Sequence, residues 1–581
     1  MLCSKTPLSI RNLLLLIYLT SAVITQSVYA AVWDANFTQV CETERHRQIS
    51  INESLRNDKT FVCGQTYDRN TPPAQEITIS LDQCLAQSPG WEKSRIDKAS
   101  QWAGPLLGFL LPALGFIIVI PREWTIEISA LRASLHRGNT WRQWFRLVPM
   151  FGALAVDTLL GIVVVFGWAG PFIVGAIHEV LVDHIILEEV QKWTQEHKTG
   201  PVREQEWFAV AIVLVGSFSP DKLLSRPRSR SLTTQPLPEK PPQTFATLIQ
   251  SELSDPQTAS TFLTRILIQF LPFSGLVGVP LVFYVGSFIY SLVDADARLG
   301  ENDTAHSVAF GLWYFVIVIV ATISSTVLGV TIPTNIESAL AHRRLTPTDY
   351  QHKWLSSRRL TLARWADQPS LTNPTTRVLT DPHYHSPFHR HSLPLYASLL
   401  SITALAVPCG LATAVSYNTP QIGLSCRSAS ALAYLLSQSV LILLWFFHSS
   451  PSMHNRRHNP HPSRSEKALT WTISTAYIAN GILSLFFAVA GTMMQLLGVY
   501  RSCICKAGLW YALPTTSASA RAGVRVLLST DTAGAREAAD LWIKCGEAGI
   551  VWMAIICIAG AAHRVLIKAR CLDLVENFGG R

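Results

Sequence analysis

Ten apolar blocks, most of them near the length of a membrane-spanning helix, restrict how this chain can fold. Hydrocarbon offers the backbone no hydrogen-bonding partner, so each block that crosses a bilayer must be a helix. Only 15% of the residues are charged, against roughly one quarter in soluble chains, which excludes a soluble multidomain enzyme. The blocks are residues 104–120, 147–168, 171–187, 207–218, 273–293, 307–330, 393–415, 429–447, 468–497 and 548–566.

Residues 1–30 have the pattern of a secretory signal peptide, with a basic start, an apolar stretch and small residues before a cleavage point. A retained signal anchor is the alternative, and both deliver the following segment to the lumen or cell exterior. Residues 31–103 are polar and contain three cysteines, which predicts a small ectodomain held by disulfides, since so short a segment rarely buries enough apolar surface. Glycosylation sequons at Asn36 and Asn52 agree with a lumenal location.

The distribution of Lys and Arg predicts the orientation of the helices. Connecting segments rich in these residues are expected in the cytosol. Segment 294–305 is instead acidic and carries a third sequon at Asn302, so we expect it on the lumenal side. The basic segments are 121–146, 220–265, 331–392, 448–467 and the tail after residue 566.

Four apolar blocks lie between the ectodomain and the basic segment 220–265, although an odd number of crossings is needed between them. Block 207–218 makes roughly 18 Å of helix against a hydrocarbon core of about 30 Å. Block 171–187 is longer but contains acidic and histidine residues, which are costly in mid-membrane. We expect block 207–218 to be re-entrant or interfacial, with a non-crossing 171–187 as the alternative. The fold class is an all-α polytopic membrane protein of about nine transmembrane helices.

Seven of the eleven cysteines fall on the predicted lumenal side, where disulfides form. Because three of these seven lie in the ectodomain, at least one bond should tie the ectodomain to a later lumenal loop. Metal binding or redox chemistry at Cys503-Ile504-Cys505 is the less favoured alternative, since a zinc site would need a second pair. The disulfide candidates are Cys41, Cys63, Cys84, Cys426, Cys503, Cys505 and Cys545.

The Pro-, Ser- and Arg-rich composition after residue 219 predicts a disordered linker that divides the membrane regions. Histidine tracts in the later cytosolic loops lack carboxylates or thiolates to complete a fixed geometry, so we predict no metal site and no cofactor, with weak metal buffering as the alternative. The predicted segments are 1–30 signal peptide, 31–103 ectodomain, 104–219 N-terminal membrane region, 220–261 disordered cytosolic linker, 262–330 transmembrane helix pair, 331–392 basic His-rich cytosolic loop, 393–567 C-terminal membrane region with lumenal loop 499–547, and 568–581 cytosolic tail.

Asp157 lies within block 147–168, and Asp183 and His184 lie within the next block. Ionisable residues inside a membrane mark functional sites by default. If both blocks cross, a tight turn at 167–171 makes an antiparallel hairpin that brings Asp157 to the depth of Asp183 and His184, where the three could relay protons or bind a cation. The helical wheel, however, puts Asp183 and His184 on different faces. The alternative is that Asp157 is a structural group and the second block lies along the headgroups.

The segment 420–428, Pro-Gln-Ile-Gly-Leu-Ser-Cys-Arg-Ser, and the segment 500–505, Tyr-Arg-Ser-Cys-Ile-Cys, resemble a group of fungal multispanning integral membrane proteins of unknown function. The resemblance covers mainly the C-terminal third of the chain. It implies a membrane protein of the secretory pathway and implies no role for any particular residue.

The sequence lacks a phosphate-binding loop, a GxSxG nucleophile elbow and an HExxH zinc motif. We therefore expect a non-enzymatic scaffold, receptor-like or accessory component at the plasma membrane or an endomembrane. Its expected partners are the lipid bilayer and an unidentified membrane or lumenal protein, without nucleic acid. One alternative is a transporter using Asp157, Asp183 and His184, and a second is an intramembrane lipid-modifying enzyme using the HxxxxD spacing of His178 and Asp183.

Overall fold

The computed structural model is mainly helical, with one two-stranded sheet among the described residues. The predicted signal peptide and most of the predicted loop 331–392 lie outside the described residues. The structure describes residues 35–94 except 66 and 69, 109–119, 159–196, 204–216, 245–269, 273–298, 302–327, 387–419, 422–448, 463–507 and 523–579, with positions 106, 152 and 155.

The elements are labelled in chain order. They are α1 Phe37–Ile51, β1 Thr78–Ser80, α2 Leu81–Gln87, α3 Leu111–Val119, α4 Ala169–Glu196, α5 Glu204–Val215, α6 Phe245–Leu253, α7 Pro256–Ile268, α8 Val279–Ala297, α9 Asn302–Thr326, α10 Pro387–Asn418, α11 Cys426–His448, α12 Arg464–Leu497, α13 Cys503–Ala507, β2 Arg525–Leu527 and α14 Ala533–Gly579.

Seven of the described helices are long and apolar enough to cross a membrane: α4, α8, α9, α10, α11, α12 and α14. This agrees with the predicted helical, multi-pass architecture, to which the structure adds the two-stranded sheet. The number of nine stays a prediction, because block 104–120 is described chiefly as the nine-residue helix α3 and block 147–168 mainly from residue 159 onward.

Helix α9 lies at the centre of the membrane bundle, in contact with α4, α8, α10 and α14. Its sequence is apolar on all sides, and a helix of that kind is stable only when other helices surround it. Aromatic residues fill its N-terminal half: Phe310 stacks on Tyr314, and Trp313 meets the ring of Tyr434 on α11 edge-on. The bundle therefore has one continuous core built around α9.

The tight turn predicted at 167–171 is not formed, and the antiparallel hairpin is wrong. Residues 159–167 are helical, and the helical pattern continues into α4 across Trp168. The Trp168 N–H donates to the Val164 carbonyl at 2.9 Å, and the Phe172 N–H donates to the Trp168 carbonyl at 3.2 Å. Blocks 147–168 and 171–187 are thus joined, over their described part, in one continuous helical path.

Pro171 has no N–H to donate, so it leaves a carbonyl of the preceding helical turn without its usual partner. A side chain from α11 bonds the backbone at this point and allows the helix to continue. Gln438 accepts from the Gly170 N–H at 2.7 Å and donates from Nε2 to the carbonyls of Phe166 at 3.1 Å and Gly167 at 3.0 Å. The Tyr434 hydroxyl donates to the Phe166 carbonyl at 2.8 Å. The interrupted backbone therefore has partners without water, as a membrane interior requires.

A second core joins the C-terminal halves of α4 and α14 to α5, α6 and α7. The short apolar helix α5 is buried on every side from Trp207 to Val215. Helices α6 and α7 lie partly in the predicted disordered linker 220–261. The prediction of disorder is therefore wrong over residues 245–261. Their apolar residues, such as Leu248 and Phe262, recur with helical spacing and pack into this core.

A small disulfide-bonded unit lies beyond one end of the bundle. We call it the head and define it as residues 35–94 together with the described parts of 499–532. Strand β1 pairs antiparallel with β2, Thr78 opposite Leu527 and Ser80 opposite Arg525. The predicted ectodomain 31–103 is therefore incomplete alone, because its core includes Val526 and Leu528 from the later segment.

The last helix also differs from its prediction at both ends. Helix α14 begins at Ala533, inside the predicted loop 499–547, and continues to Gly579, through most of the predicted tail 568–581. Its C-terminal residues Cys571, Leu574 and Val575 are buried in the second core, so the tail is held by packing.

Candidate functional site

Three disulfides build the head and join it to the bundle. Cys41–Cys63 lies within the N-terminal segment, and Cys84–Cys503 joins that segment to α13 across 419 residues of sequence. Cys426–Cys505 then links α13 to the start of α11. Cys503 and Cys505 thus each form a separate disulfide.

Cys545 is not in a disulfide, which corrects its place among the disulfide candidates. It is a free, buried cysteine. It lies within α14 and not in a loop, because that helix begins at Ala533. Its side chain therefore packs in the bundle core and not in a lumenal loop. Cys409 on α10 is likewise free and buried.

The sequons at Asn36 and Asn52 are both exposed on the head. Asn36 caps α1 by accepting from the Gln39 N–H at 3.0 Å, and Asn52 accepts from the Ser54 hydroxyl at 2.7 Å. Asn302 is the first residue of α9. The start of α9 is at the head end of the bundle, because Phe310 lines a pocket together with Tyr500.

Helix α4 carries a set of buried ionisable side chains. His178, Glu179 and Asp183 are all buried, at 5%, 1% and 1% exposure. His178 Nδ1 lies 3.7 Å from Glu179 Oε1, and its ring is 5.8 Å from that of Trp445 on α11. Glu179 and Asp183 share a helix face four residues apart, so α4 presents two carboxylates to the interior.

The three predicted site residues are not brought together in the described structure. His184 is exposed and lies 3.0 Å from Arg570, measured between Nδ1 and Nη1, on a different face from Asp183. Asp157 lies outside the described residues. Leu159 follows Asp157 by two residues. The helical path from Leu159 to Asp183 is roughly 36 Å long, at about 1.5 Å per residue.

Arg564 on α14 is a buried cation that the sequence reasoning missed. It is 7% exposed and donates from Nη1 to the Ser325 carbonyl near the end of α9. The signal was present, since Arg564 is the basic residue near the end of block 548–566. Packing of Ala176 and Val180 on α4 against Val327, just beyond α9, places His178 and Glu179 at the level of this segment.

We call His178, Glu179, Asp183, Ser325 and Arg564 the polar layer. Its members on α4 are two carboxylates and an imidazole, and Arg564 lies on α14 bonded to the Ser325 carbonyl; all are in a bundle where isolated charges are costly. Within the described ranges, no three His, Cys, Asp or Glu side chains are grouped so as to hold a metal ion. Side chains of these types can form ion pairs and exchange protons.

A second polar arrangement lies at the head end. Arg427 donates to Gln495 Oε1 from Nε at 3.1 Å and from Nη2 at 2.9 Å, and its guanidinium lies 4.7 Å from the Tyr500 ring centre. The Tyr500 hydroxyl donates to the Ser430 hydroxyl at 3.1 Å. Together these contacts connect α11 to α12 just below the head.

The chain matches no family model, and it matches no curated protein and no solved structure. What defines its class is therefore the architecture alone, a multi-pass helical membrane bundle with a disulfide-bonded head.

Proposed function

We propose that the protein is a secretory-pathway membrane protein that acts as a non-enzymatic scaffold, receptor-like or accessory component and binds a partner through a lumenal head. The observation that carries this proposal is the covalent attachment of the head, through Cys84–Cys503 and Cys426–Cys505. A preformed surface loses less conformational entropy on binding than a flexible one.

Three features support a lumenal head. Disulfides persist in oxidising compartments. The sequons at Asn36 and Asn52 are exposed on the head, and Asn302 begins a helix at the same end. A signal peptide at 1–30 would deliver this end to the lumen. The proposal includes glycosylation there and membership of the fungal group that segments 420–428 and 500–505 resemble.

A test of this function compares head variants with membrane variants in a strain whose own gene has been deleted. Glu76→Asn creates a sequon with Ile77 and Thr78 at an exposed position just before β1, and Thr530→Asn creates another with Asp531 and Thr532 at an exposed position after β2. Each added glycan would cover part of the head without changing its apolar core. We expect these variants to reach the membrane at normal abundance and to lose rescue of the deletion phenotype.

The matched membrane variants are Glu179→Gln and Asp183→Asn, which remove charge and keep side-chain size. The scaffold proposal predicts that both retain rescue. Loss of rescue in the membrane variants, with normal rescue by the glycan variants, would contradict it.

That opposite result is expected from the second candidate function, transport of a proton or cation. The polar layer favours this candidate, because Glu179, Asp183 and Arg564 are ionisable residues buried inside the bundle, and such residues mark candidate ion or proton pathways. Asp157→Asn, at the third predicted site residue, belongs to the same test.

A further inference from the structure

The exposed surface of α14 changes character along its length, and this change marks one boundary of the membrane. Between residues 551 and 566 the exposed side chains are all apolar, and they include Ile558 and Leu566. After residue 566 the exposed side chains are mainly charged, as at Arg570 and Glu576. Charged side chains are costly against lipid and lie instead in water or among headgroups. The bilayer surface on the side away from the head therefore crosses α14 just after residue 566.

Helix α4 reaches the same boundary beside α14. From residue 169 to 183 every side chain of α4 is buried or half-buried, and His184, Glu188 and Lys192 are then exposed at successive turns. The Arg570 guanidinium donates from Nη1 to His184 Nδ1 at 3.0 Å. This contact joins the two helices where both leave the membrane.

The contact determines which groups His184 and Arg570 can offer to a ligand. A guanidinium can only donate, so His184 Nδ1 accepts and the ring proton of the imidazole is on Nε2. Nε2–H is then a donor, and Arg570 keeps its remaining N–H groups for other partners. His563 on α14 lies within electrostatic range of both side chains. The two residues thus present hydrogen-bond donors and one permanent positive charge at the membrane surface.

The Arg570 charge is in no ion pair within the described part of the chain. Asp183 is buried at 1% exposure on another face of α4, and Glu188 is in an ion pair with Lys192 at 3.3 Å. Asp573 lies about one helical turn further from the membrane than Arg570. An acceptor from outside the chain can therefore take the remaining donors of Arg570.

We propose that His184 and Arg570 bind the phosphate of an anionic phospholipid from the leaflet on the side away from the head. Phosphate oxygens match the fork of a guanidinium, and basic sites between helices at a membrane surface bind anionic headgroups. A zwitterionic lipid carries its own compensating cation and is attracted less. The exposed Val565 and Leu566, about one turn before Arg570, would contact the acyl chains of the same lipid, which favours a lipid over a soluble phosphate. This proposal is independent of what the head binds.

The experiment measures thermal unfolding of the full-length protein in phosphatidylcholine nanodiscs, at fixed pH and ionic strength, while phosphatidic acid replaces a rising fraction of the lipid. Ligand binding to the folded state raises the midpoint in a saturable way. We expect this for phosphatidic acid, and no change when inorganic phosphate is added to nanodiscs of phosphatidylcholine alone. Equal midpoints at every phosphatidic acid fraction would overturn the proposal. A rise with inorganic phosphate alone would also overturn it, because the site would then belong to a soluble anion.

Variants then locate the effect. Arg570→Gln should weaken the apparent affinity for phosphatidic acid about five-fold, as expected for one basic residue at a membrane surface, and His184→Ala should act in the same direction. Lys568→Gln is the matched control, because Lys568 carries the same charge two residues earlier, on the opposite side of α14. An identical phosphatidic acid response in Arg570→Gln and Lys568→Gln would indicate a general effect of surface charge. That result would overturn the proposal, even if His184→Ala fails to fold.

Discussion

At the scale of single residues, Gln438 is the side chain that satisfies the backbone where the helical path into α4 is interrupted. It bonds the Gly170 N–H and the carbonyls of Phe166 and Gly167 at the helix interruption. Gln438→Leu would leave the Gly170 N–H and the Gly167 carbonyl without this partner, and each buried unpaired group costs about 1–3 kcal/mol. We expect the free energy of unfolding to fall by about 2–4 kcal/mol, measured by denaturant unfolding in detergent.

Ser439→Ala is the control for that substitution, since the Ser439 hydroxyl bonds the Leu435 carbonyl within α11. A stability of Gln438→Leu equal to that of Ser439→Ala would show that the interruption does not depend on the glutamine.

Glu44 makes the stability of the head depend on pH. Its carboxylate is buried and accepts from Arg47 at 2.7 and 2.8 Å and from Gln48 at 2.8 Å. The hydrogen bond from Arg47 holds the pKa of Glu44 below its ordinary value of 4.5. Because the folded pKa is the lower one, this contribution is fully present above pH 4.5 and is lost as pH falls through the folded pKa.

We therefore expect hydrogen exchange of α1 to be constant between about pH 7 and 5.5, after correction for intrinsic rates, and its protection to fall in more acidic solution. Glu44→Gln should lack that part of the decline. Superimposable protection curves for the wild type and Glu44→Gln would assign the acid sensitivity to other groups.

At the scale of elements, the apolar blocks predicted helices well and their connections poorly. Helix α9 is predictable because an apolar sequence on all sides requires burial. The predicted hairpin at 167–171 was wrong. The local Gly and Pro residues favour a turn, but Gln438, 268 residues from Gly170, bonds the backbone there and stabilises a continuous helix. Helices α6 and α7 were missed because the Pro-rich composition before residue 245 masked the helical spacing after it.

The packing of α12 on this helical path depends on a glycine. A Cβ at Gly481 would overlap the indole of Trp168, whereas Gly410 on α10 has open space around it. Gly481→Ala should therefore lower the unfolding midpoint through overpacking, a loss of about 1–3 kcal/mol. Gly410→Ala is the matched control and should be neutral or slightly stabilising, because alanine is the better helix former. Equal midpoints for the two variants, measured in the same detergent, would contradict the close contact.

At the scale of the whole molecule, the number of cysteines on the predicted lumenal side indicated disulfides, but not their pairing. Cys84 and Cys503 meet only because β1 and β2 assemble the head from distant segments. Of the candidate site, the interior position of Asp183 was predictable from the apolar block around it. The sequence did not indicate that Arg564 belongs with the candidate site, because the contact between α14 and α4 is a tertiary contact with no local sequence signal.

The orientation of the whole molecule is tested by two sequon variants chosen to spare the fold. Thr38→Ala removes the sequon at Asn36 and keeps the asparagine that caps α1, while Ser54→Ala removes the sequon at Asn52. If the head is lumenal, each variant should run faster than the wild type by one glycan on gels, and glycosidase treatment should make all three alike. Asn36→Gln is the comparison that loses both glycan and cap, which costs about 1 kcal/mol of helix stability. Wild-type mobility in both single variants, unchanged by glycosidase, would show that neither sequon carries a glycan and would remove glycosylation as support for the lumenal location on which the head-binding proposal depends.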